Sequence, residues 1–235
     1  MKKFFVSLFL LSGIVLSLNA QTIVTSDQSV SRTLPTWRIA IQAGGALRLG
    51  SVPNEYDSAM KDYTKKLKRG ISYGADVTWF FSESLGAGLK FNSYRSAAKM
   101  DVVAQLDGNL EAGVMEDNIS ILFLGPTFST RLVSASGKHA FFTTLGCGYM
   151  GFKDTGKVII PVALDGCTFG CVGEIAYDYS LTEHFAIGAS LAYYSGILKE
   201  YTTTMAGTST RIELSKDKRE SLAHLDLSIG VRFNL

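Results

Sequence analysis

The stretch Leu225-Asp226-Leu227-Ser228-Ile229-Gly230-Val231-Arg232-Phe233-Asn234-Leu235 separates into two rows. Leu225, Leu227, Ile229, Val231, Phe233 and Leu235 are all apolar, whereas Asp226, Ser228, Gly230, Arg232 and Asn234 are small, polar or charged. A strand has a side-chain period of two, so this segment is expected to be a strand with one greasy face. The opposite end of the chain has a different character. Lys2 and Lys3 precede an apolar run from Phe4 to Leu18, and Leu18-Asn19-Ala20 stands before Gln21. This is the form of a secretory signal cut after Ala20. An uncleaved anchor needs about 17–25 apolar residues, more than this run supplies. The absence of a Cys after Ala20 argues against a lipoprotein. Residues 21–36 are polar and end in Leu34-Pro35-Thr36, as expected of a flexible periplasmic lead-in.

Lys and Arg number 23 against 21 Asp and Glu. Loss of Lys2 and Lys3 with residues 1–20 leaves 21 of each sign and no net charge. That balance lacks the basic excess of a general nucleic-acid binder, so no nucleic-acid partner is expected. No later stretch is long and apolar enough for a transmembrane helix, so any membrane span must be made of strands. Cys147, Cys167 and Cys171 are odd in number, which leaves at least one free or intermolecular. There is no Cys-x-x-Cys pair, and His139, His184 and His224 are scattered, so neither a zinc site nor another cofactor is expected. One disulfide or none is expected. Cys147 and Cys171 can bridge if they face each other across a hairpin.

Alternation begins at Trp37 and recurs eight times. Strands are expected at about 37–50, 71–81, 85–94, 118–131, 139–152, 167–179, 185–194 and from near Ser221 to Leu235. The fourth contains the run Ile119-Ser120-Ile121-Leu122-Phe123-Leu124-Gly125-Pro126, whose period does not say which row faces out. Short connections (82–84, 133–138, 180–184) alternate with long ones (51–70, 95–117, 153–166, 195–220). The pattern predicts an all-β chain: an eight-stranded antiparallel up-and-down transmembrane β-barrel over 37–235, with short periplasmic turns and four long extracellular loops. The last strand should pair with the first, which puts Phe233 near Trp37 at the periplasmic rim.

A soluble, lipocalin-like barrel would have the same strand count with its greasy row inside. Volume argues against it. An eight-stranded interior is just wide enough for side chains to fill, and bulky residues such as Trp37, Trp79, Phe81, Phe91 and Tyr193 are too many for it. The Gly, Ala, Ser and Thr row fits. Outward aromatics then form two girdles: Trp37, Trp79, Phe81, Phe141, Tyr177, Tyr179, Phe185 and Phe233 at the periplasmic rim, and Tyr73, Phe91, Tyr149 and Tyr193 nearer the outer rim. With this signal segment, the Ile229–Leu235 end and Leu124-Gly125-Pro126 in the fourth strand, the chain resembles the small outer-membrane β-barrel family, the OmpA/OmpX-like barrels of the porin family. The resemblance implies an outer-membrane location and contact with outer-membrane lipid and lipopolysaccharide. It also implies insertion by the barrel assembly machinery, which reads an amphipathic last strand. Family members usually end on an aromatic residue; this chain ends on Leu235, with Phe233 two before it.

The inward row carries Arg38, Arg48, Asp76, Lys90, Glu174, Asp178, His224, Asp226 and Arg232. Charges in a narrow lumen must pair, and the hairpin centred on Glu83 places Asp76 opposite Lys90 as an expected salt bridge. Such a network either fills the lumen or forms part of an ion path, and filling is the expectation for eight strands. His224 and Asp226 project on one face about 7 Å apart. They would need a serine to act as a lipid-modifying triad, and no nucleophile motif supplies one. Loop 51–70 is basic through Lys61, Lys65, Lys66, Lys68 and Arg69, suits lipopolysaccharide phosphates, and has room for a short helix at Lys65–Arg69. Strand extensions beyond the membrane are possible in 195–220. The expected role is non-enzymatic, structural or binding, through the outer loops; a narrow channel and a lipid-modifying enzyme are the alternatives.

Overall fold

In the computed structural model, described over residues 34–50, 57–106, 109–157, 161–205, 207–216 and 219–235, the final alternating segment is strand β11 (His224–Asn234). The expected signal segment and nearly all of the lead-in lie outside the described residues. β11 pairs antiparallel with β1 (Trp37–Arg48), from Arg38 opposite Asn234 to Arg48 opposite His224. That pairing closes a ring, which runs on through β2 (Arg69–Phe80), β3 (Leu85–Leu106), β4 (Asn109–Val133), β5 (His139–Lys157), β6 (Pro161–Ser180) and β7 (Phe185–Leu198), and β7 returns to β11. Closure satisfies the backbone groups of what would be two sheet edges, the condition for crossing a bilayer with strands.

The greasy rows point outward. On β11, Leu227 is 65% and Ile229 72% exposed, whereas Arg232 between the flanking apolar residues is fully buried. The same alternation on β1, β2, β6 and β7 exposes Ile41, Ile71, Ile175 and Ile187 around the belt. Water would penalise each large aliphatic side chain by about 1.5–3 kcal/mol relative to an apolar surrounding, so the belt fits lipid. Trp37, Trp79, Phe81 and Phe128 contact one another in sequence along the periplasmic rim, with centroid separations of 6.4, 5.9 and 6.4 Å. Phe233 comes to the same end of the barrel as Trp37, two residues along β1 from it. It lies opposite Ile39, with its ring 5.5 Å from Phe185, and the backbone of Leu235 exchanges hydrogen bonds with Trp37. The register sets this, because the chain end reaches two residues beyond Phe233.

Three short turns stand at one end and four long connections at the other. The long connections hold more regular structure than their composition suggests. Residues 51–70 contain helix α1 (Ser58–Lys68), which starts earlier and is longer than the short helix expected at Lys65–Arg69. Asp57 caps it by accepting from the Met60 N–H at 2.8 Å. Segment 95–117 is largely the continuation of β3 and β4, whose register runs without a break to Leu106 opposite Asn109. Likewise β5 and β6 stay paired as far as Lys157 and Pro161. Segment 195–220 adds β8 (Glu200–Met205), β9 (Thr208–Glu213) and β10 (Glu220–Ser221), with β8 continuing the sheet alongside β6. Outside the membrane both faces of a strand meet water, so the apolar alternation disappears while the hydrogen-bonded ladder continues.

The facing of β4, left open by its sequence, is settled by its neighbours. Ile119, Ile121 and Phe123 point inward, as do Thr127, Ser129 and Arg131, while Leu124, Phe128 and Leu132 face out. The outer half of the lumen is therefore apolar. Tyr94, Ile121, Phe123, Met150, Phe152, Tyr194, Leu198 and Leu222 form one buried cluster there. The sequence pattern puts small residues inside and bulky ones outside. The lower and middle lumen follows that rule in part; the outer half does not.

Candidate functional site

Seven interior side chains join in a closed ring of hydrogen bonds and ion pairs. Arg232 Nε lies 3.2 Å from Asp178 Oδ1, and Arg38 Nε lies 2.8 Å from Asp178 Oδ2. Arg38 Nη1 reaches Asp76 Oδ2 at 2.9 Å. Lys90 Nζ then bridges Asp76 at 3.2 Å and Glu174 at 2.8 Å. Gln42 donates to Glu174 Oε2 at 3.3 Å and accepts from Arg232 Nη2 at 3.1 Å, which returns the path to its start. The members come from β1, β2, β3, β6 and β11, and Ser190 of β7 donates to Gln42 at 3.1 Å. Three cations face three carboxylates, so the ring carries no net charge. Full mutual satisfaction is what makes charge tolerable where water is scarce.

Position along the barrel separates the remaining inward charges. Arg48 sits at the outer end, where it donates to Glu220 at 2.7 Å and to the Ser221 carbonyl at 3.1 Å. Asp226 accepts from Asn92 at 3.0 Å and stands 3.8 Å from His224 Nε2, too far for a hydrogen bond. His224 Nδ1 is 2.9 Å from the Leu222 carbonyl. Its ring lies between two tyrosines, 4.7 Å from Tyr194 in a near-parallel stack and 5.3 Å from Tyr94. Phe123 extends the row, 5.4 Å from Tyr194. The row Phe123–Tyr194–His224–Tyr94 thus crosses from β4 to β7, β11 and β3, and spans the lumen. Tyr94, Phe123, Tyr194 and His224 are all fully buried in it.

Gln42, Asn92, Ser190 and Arg131 were missed in the sequence. The first three are neutral side chains on inward rows and carry no signal until charged partners are placed beside them. Arg131 was hidden by the ambiguous period of β4. It plugs the periplasmic end, with its guanidinium 4.0 Å from the Phe80 ring centroid and hydrogen bonds of 2.6 Å to the Glu83 and Pro35 carbonyls. Phe80 and Phe142 are 6.2 Å apart, and Arg38 lies 4.3 Å over Phe142.

Above the apolar layer, α1 docks against β3 and β4 through two tyrosines. Tyr94 donates to the carbonyls of Leu67 and Lys68 at 3.1 and 3.2 Å, which ties the C-terminal turn of α1 to the lumen. Gly70 makes this possible, since a Cβ there would meet the Tyr94 ring at 2.7 Å. Tyr63 donates to Asp117 at 2.6 Å; partial burial and then this bond hold the phenol well above its usual range. Five residues past the exposed Tyr149, and so beyond the apolar belt, Asp154 has a pKa pushed up to about 6 by burial and then by the charge of Asp117. Outside the wall, the β8–β9 hairpin and the extended β5–β6 pair bound an open cleft of about 560 Å³, lined among others by Leu122, Tyr149, Lys153, Cys167 and Arg211. Among the described residues no cluster of His, Cys, Asp and Glu is arranged to hold a metal.

A closed antiparallel ring, a lipid-facing apolar belt and aromatic girdles define a transmembrane β-barrel of the outer-membrane type. In structure the chain is similar to a major outer membrane protein from Thermus thermophilus, at 9% identity and a TM-score of 0.54, covering 85% of this chain and 99% of that one. It also aligns with the outer membrane protease OmpT from Escherichia coli (6% identity, TM-score 0.49, 88% and 100% covered). A third alignment is with Neisserial surface protein A, NspA (11%, 0.45, 87% and 100%). At such identities the likeness is one of fold. No family model matches the chain, and no curated protein matches it.

Proposed function

We propose that this protein is a closed, non-enzymatic barrel of the outer membrane that works through its outer surface rather than through its lumen. The observation that carries the reading is the row Phe123–Tyr194–His224–Tyr94, which spans the lumen above the charged ring. Solute would have to displace both layers, and α1 is docked above them on Tyr94 and Asp117. The buried His224 and Asp226 are out of reach of a lipid substrate, which speaks against the enzymatic alternative. What remains accessible is the platform of α1, the extended β3–β4 and β5–β6 hairpins and the β8–β9 hairpin. Lys65, Lys66 and Lys68 in the last turn of α1 suit the phosphates of lipopolysaccharide. Insertion by the barrel assembly machinery through β11 is part of the same reading.

The test is a conductance recording on purified, refolded protein in a planar bilayer. The expected trace is flat. A steady conductance that changes with Asp76→Asn or Lys90→Met would establish an ion path and sink the closed-barrel reading.

A further inference from the structure

We propose that Cys147 and Cys171 form a disulfide across the β5–β6 hairpin on the lipid-facing wall, leaving Cys167 as the free thiol. The proposal rests on the geometry of this cross-strand pair. The strand register places Cys147 directly opposite Cys171. Their Sγ atoms lie 2.7 Å apart. The two thiols are free in this structure and in direct contact, so oxidation can join them without the strands having to move apart or re-register. Cys167 is excluded by the same register: it stands opposite Gly151, at the edge of the outer cleft, where no sulfur faces it.

The chemistry needs an oxidant, and the inference rests on the outer-membrane reading to supply one, because the route to that membrane crosses an oxidising compartment. The oxidant is a protein disulfide donor. One cysteine thiolate attacks a donor sulfur, breaks the donor's S–S bond and forms a mixed disulfide. The second thiolate displaces the donor sulfur, so two electrons reduce the donor to its dithiol and two protons leave the thiols. Once β5 and β6 are in the bilayer, lipid covers both sulfurs. The bond must therefore form before insertion is complete, and should be present in every assembled molecule. It would pin the register of the hairpin that carries the cleft and the β8 pairing.

The test counts thiols in protein taken from membranes, with alkylating agent present from lysis onward. Denatured without reductant, the chain should take up one label, and after reduction three. Peptide mapping should find Cys147 joined to Cys171. The Cys167→Ser variant, altered at an exposed position, should take up none before reduction and two after. Three labels on the unreduced chain, or a bond that includes Cys167, would overturn the proposal. Heat-modifiable migration on a gel reports barrel formation separately, so a failed barrel and an absent disulfide are told apart.

Discussion

Asp76 and Lys90 face each other across the β2–β3 hairpin, with 3.2 Å between Oδ1 and Nζ, and neither has any other route to neutrality than its neighbours in the ring. Lys90 is 1% exposed and serves two carboxylates at once. Lys90→Met keeps the volume and removes the charge, so Asp76 and Glu174 lose their shared cation. The expected loss is about 3–5 kcal/mol, the cost of stranding buried charge. Urea unfolding of refolded protein in detergent measures it. Adding Glu174→Gln brings the ring back to two cations and two carboxylates and should recover much of the loss; an unaltered midpoint for Lys90→Met alone would mean the ring does not hold the barrel.

Gly188 faces Asp178 across the β6–β7 pair, and a Cβ built on it would collide with the Asp178 carboxylate. The carboxylate occupies the space a side chain would take, and it is the member that joins Arg38 to Arg232. Gly188→Val should therefore cost about 1–3 kcal/mol by overpacking. Gly45 is the control, since it faces outward with nothing near its missing Cβ. Gly45→Val should leave the unfolding midpoint within experimental error, and equal effects at the two sites would contradict the described facing.

Acid should tighten the outer platform. The folded pKa of Asp154 is raised to about 6 from 3.8, so the folded state favours its protonated form. The contribution to stability is then fully present below about pH 3.8 and is lost as pH rises through 6. Asp154 acts on the Tyr63–Asp117 bond that docks α1, so α1 is where the change should be felt. Hydrogen exchange in residues 57–69, corrected for intrinsic rates, should show greater protection at pH 5 than at pH 8. Asp154→Asn should flatten that difference, and a pH-independent wild type would refute the coupling.

Much of the wall is legible in the sequence. The alternation in β1, β2, β6, β7 and β11 named the inward rows, and the equal spacing of Asp76 and Lys90 from Glu83 gave their pairing. Local pattern is sufficient there because one face meets lipid and the other a polar lumen. It fails in β4, where Ile121–Leu124 are apolar on both faces because lipid lies on one side and the apolar outer lumen on the other. Arg131 was lost with it. It fails again beyond the membrane, where water on both faces erases the period and β3 and β4 continue unread.

Residue order alone dictates a membrane-facing ring of antiparallel strands and the set of charges that must meet inside it. Period two is a local property, and a charge excluded from water must find a partner whatever the details. Only the tertiary structure decided which partners meet, that Gln42 closes the ring, and that Phe123, Tyr194, His224 and Tyr94 bar the lumen. Those contacts join strands far apart in the chain, and their geometry depends on the stagger of every strand between them.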